Sequence, residues 1–190
     1  MGEERGSGGG RDAGPERDPA VRIVDYDPAW PARAAAELAR VGAELGDLAV
    51  RLEHVGSTSG PGLAAKPIVD LQVSVAALEP RAAYVDPLES IGYLFVPYAT
   101  APEYHFFGKP RERPRAVHLH VCAAGSFEEL RHLAVRDHLR ADPAEAARYE
   151  AVKRESARRN PEDRIAYMAG KEAFVLELER RALERHAKEL

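Results

Sequence analysis

Three neighbouring segments carry residue types that can do chemistry: His54-Val55-Gly56-Ser57-Thr58, Gly62-Leu63-Ala64-Ala65-Lys66-Pro67 and Ile68-Val69-Asp70-Leu71-Gln72-Val73. A strand ending in Gly-Ser allows close approach to its backbone and presents N–H groups and hydroxyls, which is how a phosphate chain is held. Asp70 follows Ser57 by thirteen residues, and a carboxylate there suits the divalent ion that accompanies a phosphate. Period-two geometry places Asp70 and Gln72 on one face of a strand, and Lys66 adds positive charge. The plainer alternative is an ordinary turn at Gly56-Ser57 with Asp70 paired for structural reasons. A carboxylate inside an apolar strand weighs against it, because burial demands a metal or a cationic partner. The segment is not a Walker A sequence, since no Gly-Lys-Ser/Thr occurs. It is not a nucleophile elbow either, since Thr58 stands where Gly-x-Ser-x-Gly requires serine.

The elements that must position these residues follow from the apolar pattern. Val21 to Val24 alternates as a short strand, and Asp27-Pro28 reads as the cap and first position of a helix that runs by Trp30, Ala34, Leu38, Val41 and Leu45 to Gly46. Val50 to Val55 and Pro67 to Val75 are predicted strands on either side of the Gly/Ser/Pro-rich loop. A helix is expected between Pro80 and Ile91, restarting at Asp86-Pro87 because an interior proline is poorly tolerated. Tyr93 to Val96, Tyr104 to Phe107 and Ala116 to Cys122 read as strands, the last two as an antiparallel hairpin. Three helices close the chain, opened by Ser126 with Glu129 as a capping box, by Asp142-Pro143, and by Asn160-Pro161. Strands first and helices afterwards describe an α+β domain, or an α/β core with a helical extension. Residues 1–19 lack apolar residues larger than alanine after Met1 and are expected to form a disordered tail before a single domain at 20–190.

The helix opened by Ser126 is a second candidate site. Arg131, Arg136 and Arg140 share it with His132 and His138, and guanidinium groups grip phosphate bidentately. Its alternative is a solvated helix in which Arg136 pairs with nearby acids. Lys109, Arg111, Arg113 and Arg115 decorate the hairpin turn as a basic rim or lid over a phosphate. Tyr104, Phe106 and Phe107 serve either the core or a stacked base, and Cys122 reads as a small buried residue.

The 190 residues carry a formal charge of −4, which argues against a protein that coats nucleic acid. That charge is uneven. Residues 21–103 hold six Lys/Arg against eleven Asp/Glu, while residues 104–140 hold seven against four and five of the seven histidines. No apolar run approaches the length of a membrane span. One cysteine excludes an intramolecular disulfide and suits a reducing compartment, and the first residues lack the apolar core of a signal peptide, so a cytoplasmic location is expected.

The sequence resembles the GrpB family through Glu53-His54-Val55-Gly56-Ser57-Thr58, Gly62-Leu63-Ala64-Ala65-Lys66-Pro67, the Asp70 strand, His118-Leu119-His120-Val121 and Arg131-His132-Leu133-Ala134-Val135-Arg136-Asp137. The resemblance covers nearly all of residues 21–178. It implies a nucleotidyltransferase-like fold, a mixed sheet flanked by helices, and a distant relation to nucleotidyltransferases with a Gly-Ser … Asp-x-Asp pattern. It also implies a link to dephospho-CoA kinase, to which some relatives are fused. The pattern departs where chemistry is most demanding, because Gln72 replaces the second carboxylate on which two-metal phosphoryl transfer depends. His118 and His120, on one face of the hairpin strand, would offer two nitrogens beside the oxygen of Asp70, a set suited to Zn²⁺ or Mn²⁺ better than Mg²⁺. Glu53 or Glu103 could add oxygen. The expected function is divalent-metal-dependent nucleotidyl transfer from ATP or another nucleotide. Gly56, Ser57, Thr58 and Arg131 would bind phosphate, and Asp70, Lys66 and Arg136 would serve the reaction. The alternatives are a non-catalytic nucleotide- or coenzyme-A-binding module and a metal-dependent hydrolase built on Asp70, His118 and His120.

Overall fold

In the computed structural model, which describes residues 20–99 and 103–189, five strands form one mixed sheet in the spatial order β1-β2-β5-β4-β3. These are β1 (Arg51–Val55), β2 (Val69–Val75), β3 (Leu94–Phe95), β4 (Tyr104–Lys109) and β5 (Val117–Ala123). The central pair β2 and β5 is parallel, and every other neighbouring pair is antiparallel. Helices α1 (Trp30–Leu45) and α2 (Ala82–Ser90) are interleaved with the strands, whereas α3 (Phe127–Ala141), α4 (Pro143–Arg159) and α5 (Arg164–Glu189) follow them. This is the α+β arrangement with a helical C-terminal segment that the sequence leads one to expect. The tail expected at 1–19 lies outside the described residues.

Strand alternation gives the sheet two chemically different faces. Leu71, Val73 and Val75 of β2 and Leu119 and Val121 of β5 point to one side, where they pack with Trp30, Val41 and Leu45 of α1 and Leu88 of α2. Each such side chain contributes roughly 1.5–3 kcal/mol on burial, so this face holds most of the stability. The intervening positions, Asp70, Gln72, Ser74, His118, His120 and Cys122, are paired across the parallel ladder on the opposite side. Glu53 joins them from β1 and Phe106 from β4 in register. Helix α3 covers this polar face: Ser74 donates to Glu129 and His132 bonds to Gln72.

Several boundaries move for identifiable reasons. Asp27 does not cap α1; its Oδ1 accepts from the Ala29 N–H at 2.9 Å and its carbonyl from the Trp30 N–H, closing a turn that delays the helix to Trp30. Of the expected strand at 21–24 only Val24 pairs, in an isolated bridge to Ala65. Pro67 cannot donate to a ladder and the Ile68 N–H turns back to the Lys66 carbonyl, so β2 begins at Val69. Helix α2 runs through Pro87 without a restart. Pro87 is the sixth of its nine residues, so the bond forgone is the interior one to the Ala83 carbonyl. Helix α5 starts at Arg164 because the Pro161 carbonyl is taken by the Val21 N–H, and Asp163 accepts from the Ala166 N–H instead.

At the head of α3, Ser126 Oγ accepts from the Glu129 N–H, while the Glu129 carboxylate accepts from the Gly125 N–H at 2.6 Å. The cap therefore also anchors the turn that leaves β5. Ser126→Ala is expected to lower unfolding free energy by about 1 kcal/mol in a urea titration at neutral pH.

Candidate functional site

The Gly-Ser turn does approach something closely, and that something is Asp70. Gly56 adopts φ +67°, and a Cβ there would lie 2.5 Å from Asp70 Oδ2. The chain then makes one 3-10 turn over Ser57–Ser59, closed by Ser59 Oγ donating to the Gly56 carbonyl at 2.7 Å. Arg140 Nε holds the Ser59 carbonyl at 3.1 Å, and His54 Nε2 meets Thr58 Oγ1 at 3.0 Å. Burial, against the pull of Asp70, pushes the His54 pKa down to about 4, so this ring is neutral at pH 7.

Asp70 Oδ1 and His118 Nδ1 face each other across the parallel pair at 3.1 Å. Burial alone would raise the Asp70 carboxyl, but the His118 hydrogen bond and the nearby His118, His120 and Lys66 outweigh it and hold it at about 2. Asp70 is thus a carboxylate at any physiological pH. Phe106 on β4 packs against both imidazoles, with ring centroids 5.1 Å from each, and Tyr104 lies 5.7 Å from His120. Phe107 points the other way into the apolar core.

On the α3 side, the His120 ring meets that of His132 edge-on at 4.7 Å. His132 Nε2 accepts from Arg131 at 3.1 Å, since a guanidinium only donates, and Nδ1–H therefore donates to Gln72 Oε1 at 2.6 Å. This fixes a neutral tautomer, and burial beside Arg131 pushes its pKa to about 4; burial and His132 push His120 to about 3. The oxygen of Gln72, which stands where the second carboxylate would be, is already used, and Gln72 is fully buried beneath α3.

Beside the Asp70–His118 pair lies a cavity of about 380 Å³. Gly56, Ser57, Thr58, Asp70, His118 and His120 contribute to its wall, and so do Lys66 and Lys171. The two lysines flank the Tyr167 ring, each Nζ 5.8 Å from its centroid, and burial lowers the pKa of both. Asp70 is the single carboxylate among the described lining residues, and Arg164 adds a third cationic side chain. The wall therefore carries more positive than negative charge, as a site for an anion does.

The expected arginines are elsewhere. Arg131 is bound by Glu128 and Glu179, and Arg136 by Glu53 at 2.5 Å and Asp137 at 2.8 Å; neither borders the cavity. Their carboxylate partners saturate the guanidiniums, so the anion-gripping face assigned to α3 is a set of ion pairs. The hairpin lid is corrected in part as well. Lys109 pairs with Glu37 at 2.9 Å and Arg111 lies 3.8 Å from Glu89, on the α1–α2 side, whereas Arg113 and Arg115 border an adjoining space. Glu103 is exposed and outside the cavity wall.

Sequence reasoning passed over Tyr149 and Arg164. Tyr149 hydrogen-bonds Ser57, stacks on Phe174 with centroids 5.9 Å apart, and lies 4.4 Å from Lys153 Nζ. A signal was present, because Tyr149–Lys153 and Tyr167–Lys171 share the i,i+4 spacing that sets a lysine over a ring on one helix face.

A family model described as GrpB protein matches residues 20–181. The chain belongs to the GrpB family. The crystal structure of a conserved protein GrpB from Enterococcus faecalis superposes with a TM-score of 0.81 and 33% identity, covering 87% of this chain and 99% of that one. A UPF0157 protein of Halalkalibacterium halodurans is 36% identical over 164 residues, covering 86% of this chain and 83% of the relative. The GrpB region also occurs within a larger protein. A dephospho-CoA kinase of Mycolicibacterium paratuberculosis is 33% identical over 186 residues, which cover 85% of this chain and 46% of that protein. No helix among the described residues of this GrpB chain is long and apolar enough to cross a membrane.

Proposed function

We propose that the cavity binds a phosphate-bearing nucleotide together with one divalent ion at Asp70 and His118. The observation that carries this reading is one cavity lined by Asp70, the single carboxylate among the described lining residues, together with Lys66, Lys171 and the Gly-Ser-Thr turn. The donor pair fits an ion, since an oxygen and a nitrogen 3.1 Å apart suit adjacent positions at about 2.1 Å from one centre. A bound ion would neutralise phosphate charge and polarise a phosphoryl oxygen. The turn would receive the phosphate oxygens, the lysines would offset their charge, and Phe106 and Tyr104 would wall the site against water. Binding is preferred to nucleotidyl transfer on one ground. Two-ion chemistry needs several carboxylates, and the oxygen of Gln72 already accepts from His132.

A second reading, a coenzyme-A-binding module, rests on a separate feature. A neighbouring space of about 280 Å³, walled by Val21, Ile68, Val96 and Phe106, shares Lys66 and His118 with the cavity. A phosphate ligand with an extended, largely apolar arm would use both.

Melting curves and calorimetric titrations with ATP and with coenzyme A, each with and without Mn²⁺, decide between them. ATP with Mn²⁺ is expected to raise the melting temperature. Lys66→Ala and Lys171→Ala should each weaken binding roughly tenfold, as loss of a charge-assisted contact of about 1.5 kcal/mol requires. Asp70→Asn should abolish the Mn²⁺ dependence while ATP still binds. A shift with coenzyme A alone favours the second reading, transfer of label from ATP to an acceptor favours transfer, and no shift with either ligand overturns both binding readings.

A further inference from the structure

Among the described residues, His138 is the histidine whose two ring nitrogens are both buried without a hydrogen-bond partner. It stands in the last turn of α3, on the far side of that helix's Arg136 ion pairs, and its side chain is 9% exposed. A buried imidazole with no partner is a costly arrangement in a stable core. What surrounds it is a pair of carboxylates from the first turn of α4. Asp142 caps that helix by accepting from the Glu145 N–H at 2.9 Å, and Glu145 is itself 93% buried by its side-chain exposure of 7%.

The division of labour on Glu145 is informative. Its Oε1 takes Arg181 at 2.9 Å and lies 3.7 Å from Arg148, whereas its Oε2 points at His138 Nε2 from 3.9 Å. That gap is too long for a hydrogen bond. It is within the span of two ligands sharing one ion, each about 2.1 Å from the centre. One donor atom each from His138, Asp142 and Glu145 lies within 4.8 Å of the others. The set His120, Glu128 and His132 converges as closely, but the Arg131 guanidinium already bonds to His132 and Glu128 there.

We infer that His138, Asp142 and Glu145 form a divalent transition-metal site that clamps the end of α3 to the start of α4 and, through Arg181, to α5. One imidazole nitrogen with two carboxylate oxygens suits Zn²⁺ or Mn²⁺, whereas Mg²⁺ and Ca²⁺ favour sets made of oxygen alone. The ion supplies the partner that His138 lacks. It also balances two acidic groups of which Arg181 and Arg148 neutralise one from its far side. The site is independent of the cavity around Asp70 and stands or falls separately from the nucleotide reading.

The test uses the full chain stripped with a chelator, then given Zn²⁺ or Mn²⁺, desalted, and measured for retained metal and for melting temperature. Asp142→Asn preserves the helix cap while removing the charged ligand, and His138→Gln removes the imidazole. Each is expected to lose one metal equivalent relative to the parent chain, to weaken its affinity by roughly tenfold or more, and to lose most of the metal-induced rise in melting temperature. In an Asp70→Asn background, His138→Gln should still remove one metal equivalent, which separates this site from the one proposed at Asp70. The inference is overturned if the stripped parent chain gains neither metal nor stability, or if both variants retain as much metal as the parent; circular dichroism of each variant establishes that it is folded.

Discussion

Gly56→Ala is expected to lower the unfolding free energy by about 3 kcal/mol and to abolish ligand binding in the cavity. Two effects add. An alanine at φ +67°, ψ −171°, a region essentially open to glycine alone, costs about 1–3 kcal/mol. Its Cβ would also lie 2.5 Å from Asp70 Oδ2 and 2.8 Å from Asp70 Cβ, so the carboxylate must move. Moving it breaks the bond to His118, a charge-assisted contact of roughly 1.5–3 kcal/mol. The loop contains its own control. Gly62 also has a positive φ, +76°, but nothing within 4 Å of a Cβ, so Gly62→Ala carries a backbone cost with no clash. Urea titrations of the two variants should therefore differ by about 1.5 kcal/mol or more. If Gly56→Ala proves no worse than Gly62→Ala, the close contact between the turn and Asp70 does not govern this loop.

That contact shows where the sequence was readable. Gly56 and Asp70 were legible as one site from a Gly-Ser turn suited to phosphate with a carboxylate thirteen residues on, and period two set the face that Asp70 shares with Gln72. The same alternation put His118 and His120 on that face, and the parallel register Asp70 with His118 completes the pair. Helix α3 was less readable. Arg131 and Arg136 look like free anion ligands from their own helix; each takes one neighbour there, Glu128 and Asp137, as the alternative allowed for Arg136, but their other partners Glu179 and Glu53 come from α5 and β1, 48 and 83 residues away. Local pattern carries no information about which distant carboxylate a guanidinium will meet. Gln72 likewise reads as a lost carboxylate, and only the packing of α3 onto β2 shows its oxygen accepting from His132. Asp27 and Pro87 failed for the opposite reason, since each has a local preference that its neighbours override: Asp27 closes a turn before α1, and Pro87 stays inside α2.

Lys153→Met is expected to be more stable than the parent chain at pH 6.5, with an advantage that shrinks by about 2 kcal/mol by pH 8.5. Lys153 is 2% exposed; its Nζ donates to the Ala64 carbonyl at 2.5 Å. Burial, aided by Lys171 and Arg154 and only partly opposed by Glu150, lowers its pKa from 10.5 to about 7. Between those two values the unfolded chain binds a proton that the folded chain does not, so unfolding free energy rises with pH, by about 1.4 kcal/mol per unit. Below pH 7 both states are protonated and the full penalty of the buried charge stands. Methionine keeps most of the side-chain volume, carries no charge, and forgoes the bond to Ala64, a loss of about 1 kcal/mol that does not vary with pH. Lys66 and Lys171 are common to both chains, so the difference between their pH curves isolates Lys153. Urea midpoints at half-unit intervals from pH 6.5 to 8.5 give that difference, and parallel curves would show that Lys153 stays charged in the fold. A charged Lys153 would have to keep its Ala64 contact as an ammonium, and the Ala64-Ala65-Lys66 segment would then owe its place beside the cavity to a buried ion.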